Sequence, residues 1–144
     1  MIRTTTIRNI NEQAFDETWI IVRSLKQDIK GATPIAQLSP SLDLFFKYQA
    51  LKKQNQWNQT SFDNIYVPSY LQQIKHDQQA IDLLNYLYRQ DKAGKNICLA
   101  CFCTDEDLCH RSIVAGLLQG VNAHVKTDTN KDYTKYYEIF KNMQ

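Results

Sequence analysis

Little in this sequence bends or interrupts the chain: it holds four glycines and three prolines in 144 residues. That scarcity excludes a collagen-like, linker-rich or low-complexity protein. Long apolar runs are missing too. No stretch approaches the ~18 residues that a membrane-spanning helix needs. Residues 1–9 carry Thr and Arg where a signal peptide would carry an apolar core. Nor is there an excess of one charge: 17 Lys and Arg stand against 15 Asp and Glu, a net +2. A strongly basic nucleic-acid coat and an acidic disordered tail are both excluded. These absences predict a cytoplasmic protein with no membrane partner, its thiols in a reducing compartment.

What is present is ordinary globular material, 43% hydrophobic and 22% charged, enough for one domain over residues 1–144 with a core that needs no staple. The four cysteines, Cys98, Cys101, Cys103 and Cys109, fall within twelve residues. Disulfides usually close longer loops, so this clustering favours metal, catalysis or plain burial.

Three segments read as strands. Residues 18–23 (TWIIVR) are β-branched and aromatic, and residues 96–103 (NICLACFC) are almost wholly apolar, as a strand covered on both faces should be. Residues 123–127 alternate and belong nearer an edge; residues 1–10 offer a further edge strand. Helices lie between them. Ser39-Pro40-Ser41 opens one, residues 77–90 place Ile81, Leu84, Leu87 and Tyr88 on one face, and residues 108–119 precede Gly120 as a stop. Residues 132–143 close the chain. The polar stretch 49–60 reads as a helix end and a loop. Strands alternating with helices predict an α/β fold: a small three-layer, Rossmann-like domain with a mainly parallel sheet and right-handed crossovers. Ligands in such folds bind beyond the carboxyl ends of the strands, which points to residues 23–40 and 103–111.

The informative stretch is 98–112, CLACFCTDEDLCHRS. Alternation puts Leu99, Cys101 and Cys103 on one strand face and Cys98, Ala100 and Phe102 on the other. Cys98 reads as a small core residue. Cys109 opens a helix, where the dipole and a neighbouring His or Arg lower a thiol's pKa. It is then a thiolate nucleophile, with His110 as proton partner and Arg111 as a fork for carboxylate or phosphate. The plainer reading keeps Cys109 as packing, His110 as a cap, and Arg111 paired with Asp105, Glu106 or Asp107. A phosphatase loop is excluded, because Cys109 stands six residues after Cys103 where that loop needs Arg.

The candidate set is therefore Cys109, His110, Arg111 and Cys101 for catalysis, with Arg23, Cys103, Asp105 and Glu106 binding a ligand. Two arginines at one crevice suggest an anionic small molecule or a nucleotide. Trp57, Tyr66, Tyr70, Tyr133, Tyr136 and Tyr137 beside Lys131 and Lys135 could stack on nucleic acid in a non-catalytic binding module, or could simply pack helices on the sheet. Zinc on Cys101, Cys103, Cys109 and His110 is not expected. Cys101 and Cys103 are one residue apart and no distant second pair exists. A thiol-based redox or metal sensor is a third reading. No cofactor follows from the sequence.

These residues resemble domain-of-unknown-function family 488, whose hallmark is an apolar strand ending Leu-Cys-Ala-Glu, a short acidic loop and Cys-His-Arg. Cys101, Cys109, His110 and Arg111 match at the same spacing. Arg23 in WIIVRS matches an Arg after the family's first core strand, and LSPSLDLFFKY and FDNIYVPSYL resemble its middle. The resemblance runs from Trp19 to Phe140. It departs at Cys103, where the family usually has Glu, so any role of that Glu is lost here or passes to Asp105 or Glu106. What the resemblance implies is a fold and a site, not a reaction.

Overall fold

A computed structural model of the protein describes residues 1–10 and 14–144. Its strands are β1 (Ile2–Thr6), β2 (Glu17–Ile20), β3 (Thr33–Pro34), β4 (Ile97–Cys101) and β5 (Val125–Lys126). They form one sheet in the order β3-β2-β4-β1-β5, and every neighbouring pair is parallel. Every residue of β4 is buried, on both faces, so the sheet is the middle layer. Ile7, Ile10, Phe15, Leu25 and Ile29 from the connections around β2 pack against the core. The mainly parallel α/β fold expected from the alternation is the fold observed.

The first strand differs from expectation. It is not an edge but lies between β4 and β5. Its Thr-rich sequence reads as polar, yet Thr4 and Thr5 are buried; β-branched Thr suits a pleated surface on either face. The edge position of the 123–127 segment holds, as β5.

The helices are α1 (Leu42–Lys53), α2 (Gln59–Ser61), α3 (Val67–Lys75), α4 (Gln78–Lys92), α5 (His110–Gly120) and α6 (Lys135–Lys141). Ser41 caps α1, its hydroxyl accepting from the Leu44 amide at 3.2 Å, and Pro40 precedes the cap. Asp77 caps α4 in the same way. Gly120 ends α5 inside the helix instead of stopping it from outside. A single tight turn, Glu106–Leu108 capped by Asp105, separates β4 from α5.

The segment from α2 to α3 escaped the periodicity. It is continuous helix, widened into a π turn over Phe62–Tyr66. Pro68 sits at the start of α3. Its ring would clash with a carbonyl four residues back and it has no amide to donate, so the turn widens to accommodate it. This helix carries Tyr66 and Tyr70 to the carboxyl end of the sheet.

Candidate functional site

Two strand ends build the site. Leaving β2, the chain passes through Ile21, Val22 and Arg23; leaving β4, it passes through Phe102 and Cys103 and turns back into α5. Both segments line one cavity of about 660 Å³. Its lining includes Arg23, Pro40, Phe45, Lys52, Phe102, Cys103, Asp105, Cys109 and His110. A second cavity of about 390 Å³ lies between α4, α5 and α6, lined by Leu84, Leu117, Phe140 and other mostly apolar side chains. It has no titratable group beyond tyrosine and so offers no chemistry.

Three thiols gather at the floor. The sulfurs of Cys101, Cys103 and Cys109 lie within 4.8 Å of one another, with Cys101 Sγ and Cys109 Sγ 3.1 Å apart. All four cysteines are unbridged. Cys98 lies outside the cluster, buried, and burial pushes its thiol up to about 12. Cys109 is the N-cap of α5 and makes no capping bond through its side chain. It is buried, and burial pushes its thiol well above the ordinary value. The lowered Cys109 pKa expected from the helix dipole is thus corrected: desolvation disfavours a thiolate by more than one helix end restores.

The charge moves to Cys101 instead. The Cys103 and Cys109 thiols beside it, with the Arg111 guanidinium, hold Cys101 far below the ordinary thiol range in spite of burial. Cys103, facing that thiolate, is pushed up to about 11.

The three consecutive residues of the motif aim in different directions. His110 donates from Nε2 to the Ile21 carbonyl at 2.6 Å. A carbonyl only accepts, so in the neutral ring the lone pair is on Nδ1, 3.7 Å from Cys109 Sγ. Arg111 points inward and is only 1% exposed. It donates to Cys101 Sγ at 3.3 Å and to the Cys103 carbonyl at 2.5 Å. Its other terminal nitrogen is 3.7 Å from Asp128, a carboxylate already bonded by Arg3 at 2.6 Å and by the Thr5 hydroxyl at 2.9 Å.

Arg23 stands apart from Arg111. It is exposed at the cavity mouth, its guanidinium donating to the Pro40 carbonyl at 3.1 and 3.2 Å. Asp105 also lines the cavity. Glu106 does not: it is buried, accepting from the Asp128 amide at 2.8 Å, from the Tyr133 hydroxyl at 2.7 Å and from the Thr129 hydroxyl. The residues brought together around the cavity are thus Arg23, Cys103, Asp105, Cys109 and His110. Cys101 and Arg111 lie beneath them, and Glu106 braces the loop behind.

Sequence reasoning missed Asp128, Lys52 and Tyr48. Asp128 gave no signal, since its role comes from lying beside β1 at the end of the sheet. An aromatic column was half visible in the four-residue spacing of Tyr66 and Tyr70. It runs from Tyr48 edge-on to Trp57 (4.7 Å between ring centres), to Tyr66 (5.6 Å), Tyr70 (6.3 Å) and His110 (5.7 Å). Tyr133 and Tyr136, offered as stacking surfaces, are buried packing residues.

A family model matches residues 2–122: that of DUF488-N3a, described as the active DUF488-N3 subclade. The match spans most of the chain, and the protein belongs to this family. No curated protein and no solved structure matches it.

Proposed function

We propose that this DUF488-N3a protein binds a free nucleotide, or a similar small molecule joining a flat ring to an anionic group, in the cavity above the cysteine cluster. The Cys/His/Arg centre then acts on the end of the ligand that reaches it. One observation carries the reading. A single cavity combines aromatic walls (Phe45, Tyr48, Trp57, Tyr66), two cations (Arg23, Lys52) and a floor of Cys103, Cys109 and His110. A volume of about 660 Å³ falls in the roughly 300–1,000 Å³ range of small-molecule sites. The aromatic faces take a ring by stacking, and an arginine takes an anion through parallel bonds.

A free nucleotide is favoured over nucleic acid because two cations at one mouth, on a chain of net charge +2, make no track for a phosphate backbone. Cys109 and His110 are the groups of the centre that meet the ligand; Cys101 and Arg111 set their charge from below.

Calorimetric titration with nucleoside monophosphates and the matching nucleosides tests this. Binding is expected to need the phosphate, and Arg23→Ala is expected to weaken it by roughly 10–100-fold, the worth of a charge-assisted hydrogen bond. Equal binding of nucleosides and nucleotides would remove the anion from the reading. Tighter binding of oligonucleotides would transfer it to nucleic acid, and no binding of any of these would end it.

A further inference from the structure

We propose that Cys101, Cys103 and Cys109 form a thiolate site for one zinc ion, with its fourth coordination position beside His110 Nδ1 and open to the cavity. This goes beyond the ligand reading and stands on the cluster alone, so either can fail without the other.

The objection from sequence was spacing, and the fold removes it. The strand exit and the helix start fold back on each other, so the one-residue gap between Cys101 and Cys103 is completed by Cys109 from the far side. Tetrahedral zinc with Zn–S near 2.3 Å sets its sulfurs roughly 3.8 Å apart. Here Cys101 Sγ and Cys109 Sγ are 3.1 Å apart, and all three sulfurs lie within 4.8 Å of one another. Closing on an ion needs side-chain shifts of about an ångström or less.

The surroundings are those of a metal site as well. A metal-binding imidazole commonly donates its other N–H to a carbonyl, which fixes the tautomer and aims the free lone pair. His110 does this on Ile21. In a tetrahedral Zn(S,N) pair the S···N separation is roughly 3.6 Å, and Nδ1 stands 3.7 Å from Cys109 Sγ. Nδ1 is not within 4.8 Å of all three sulfurs, so it is placed to bond a water or ligand in the fourth position and not to be the fourth ligand itself.

Charge makes a further argument. One zinc and three thiolates sum to −1. Arg111, buried and donating to Cys101 Sγ, supplies +1. A metal-free cluster with its charge on Cys101 carries the same −1, so the ion fits the charge of the site without altering it, and Arg111 keeps its counter-charge in both states. On binding, the thiols release their protons to solvent and no electron is transferred.

The test uses full-length protein, fully reduced and stripped of metal, titrated with Co²⁺ without oxygen. We expect one equivalent to produce a thiolate-to-cobalt charge-transfer band and the strong visible bands of a tetrahedral ion, both bleached by Zn²⁺. Cys103 lies outside the strand and is only half-buried, so Cys103→Ser should fold. It should weaken binding by at least the roughly 10–100-fold that an outer-shell partner is worth, whereas Cys98→Ala should leave the spectrum unchanged. A reduced wild-type protein that gives no such bands overturns the proposal. So do bands that persist at the same affinity in Cys103→Ser.

Discussion

Replacing Arg111 by Met keeps most of the side chain's volume and removes its charge. The structure sets the size of the effect. The guanidinium bonds Cys101 Sγ and the Cys103 carbonyl and lies 3.7 Å from Asp128, at 1% exposure. Removing one member of a buried charged set costs about 3–5 kcal/mol, because the partners stay buried and uncompensated. One term pulls the other way. Arg111 Nε has no hydrogen-bond partner among the described residues, so the wild type already bears an unsatisfied group that Met relieves. The expected loss is therefore toward the lower figure, about 3 kcal/mol. Arg111→Lys keeps the charge but cannot reach the sulfur, the carbonyl and Asp128 together; about half that loss is expected. Urea unfolding in the presence of a chelator, which excludes any metal contribution, gives both values. Adding Cys101→Ala to Arg111→Met removes the sulfur that carries the negative charge and should recover part of the loss, a coupling that a double-mutant cycle resolves. Arg111→Met within 1 kcal/mol of wild type, or a strictly additive double mutant, would refute a buried guanidinium–thiolate pair.

Gly116 in α5 allows close packing: a Cβ there would lie 2.1 Å from the Tyr133 carbonyl oxygen. Gly116→Ala should lose about 1–3 kcal/mol by urea unfolding, since overpacking exceeds the ~1 kcal/mol of helix propensity that Ala brings. Gly94→Ala, where φ is +82° and nothing lies within 4 Å, should cost only about 1 kcal/mol of backbone strain. The Lys131 ammonium, with the Tyr133 hydroxyl, holds the Asp107 carboxyl below its ordinary value. A depressed folded pKa gives stability that is present above the unfolded value and lost as pH falls through the folded one. The melting-temperature deficit of Asp107→Asn should be full at neutral pH and shrink below about pH 4; a deficit independent of pH would mean that the charge contributes nothing.

The parts of the fold visible in the sequence are those in which a local pattern and the tertiary outcome agree. The apolar run of β4, the Ser39-Pro40-Ser41 helix start and the periodic face of α4 each announce themselves within a few residues. β1 does not, because its burial comes from neighbours that its own Thr-rich sequence cannot name. The π turn and α3 were hidden by Pro68, a helix breaker on most readings, which here sits at a widened turn. The site divides in the same way. That both segments reach one cavity followed from the position of strand ends in a parallel sheet, whereas the aromatic wall depended on a helix that periodicity did not reveal.

The Cys-His-Arg triplet shows most sharply why residue type and residue role part company. Three consecutive side chains at a helix start cannot face one ligand together, since successive helical positions point about 100° apart. Cys109 is still extended, with φ −129° and ψ 144°, and its sulfur turns to the cluster. His110 reaches across to the carbonyl leaving β2, and Arg111 reaches down to the carbonyl leaving β4. The triplet thus ties the head of α5 to both strand exits at once, and the same bonds fix the imidazole tautomer and neutralise the sulfur cluster. Arg111 was expected to hold the anion of a ligand. Its terminal nitrogens are instead turned to the protein's own carbonyl, sulfur and carboxylate, and the cations that line the cavity are Arg23 and Lys52. A motif that braces the fold and sets the charge of its own sulfurs cannot be divided into structural and chemical residues. Only the directions in which the side chains point tell which of them a ligand can touch.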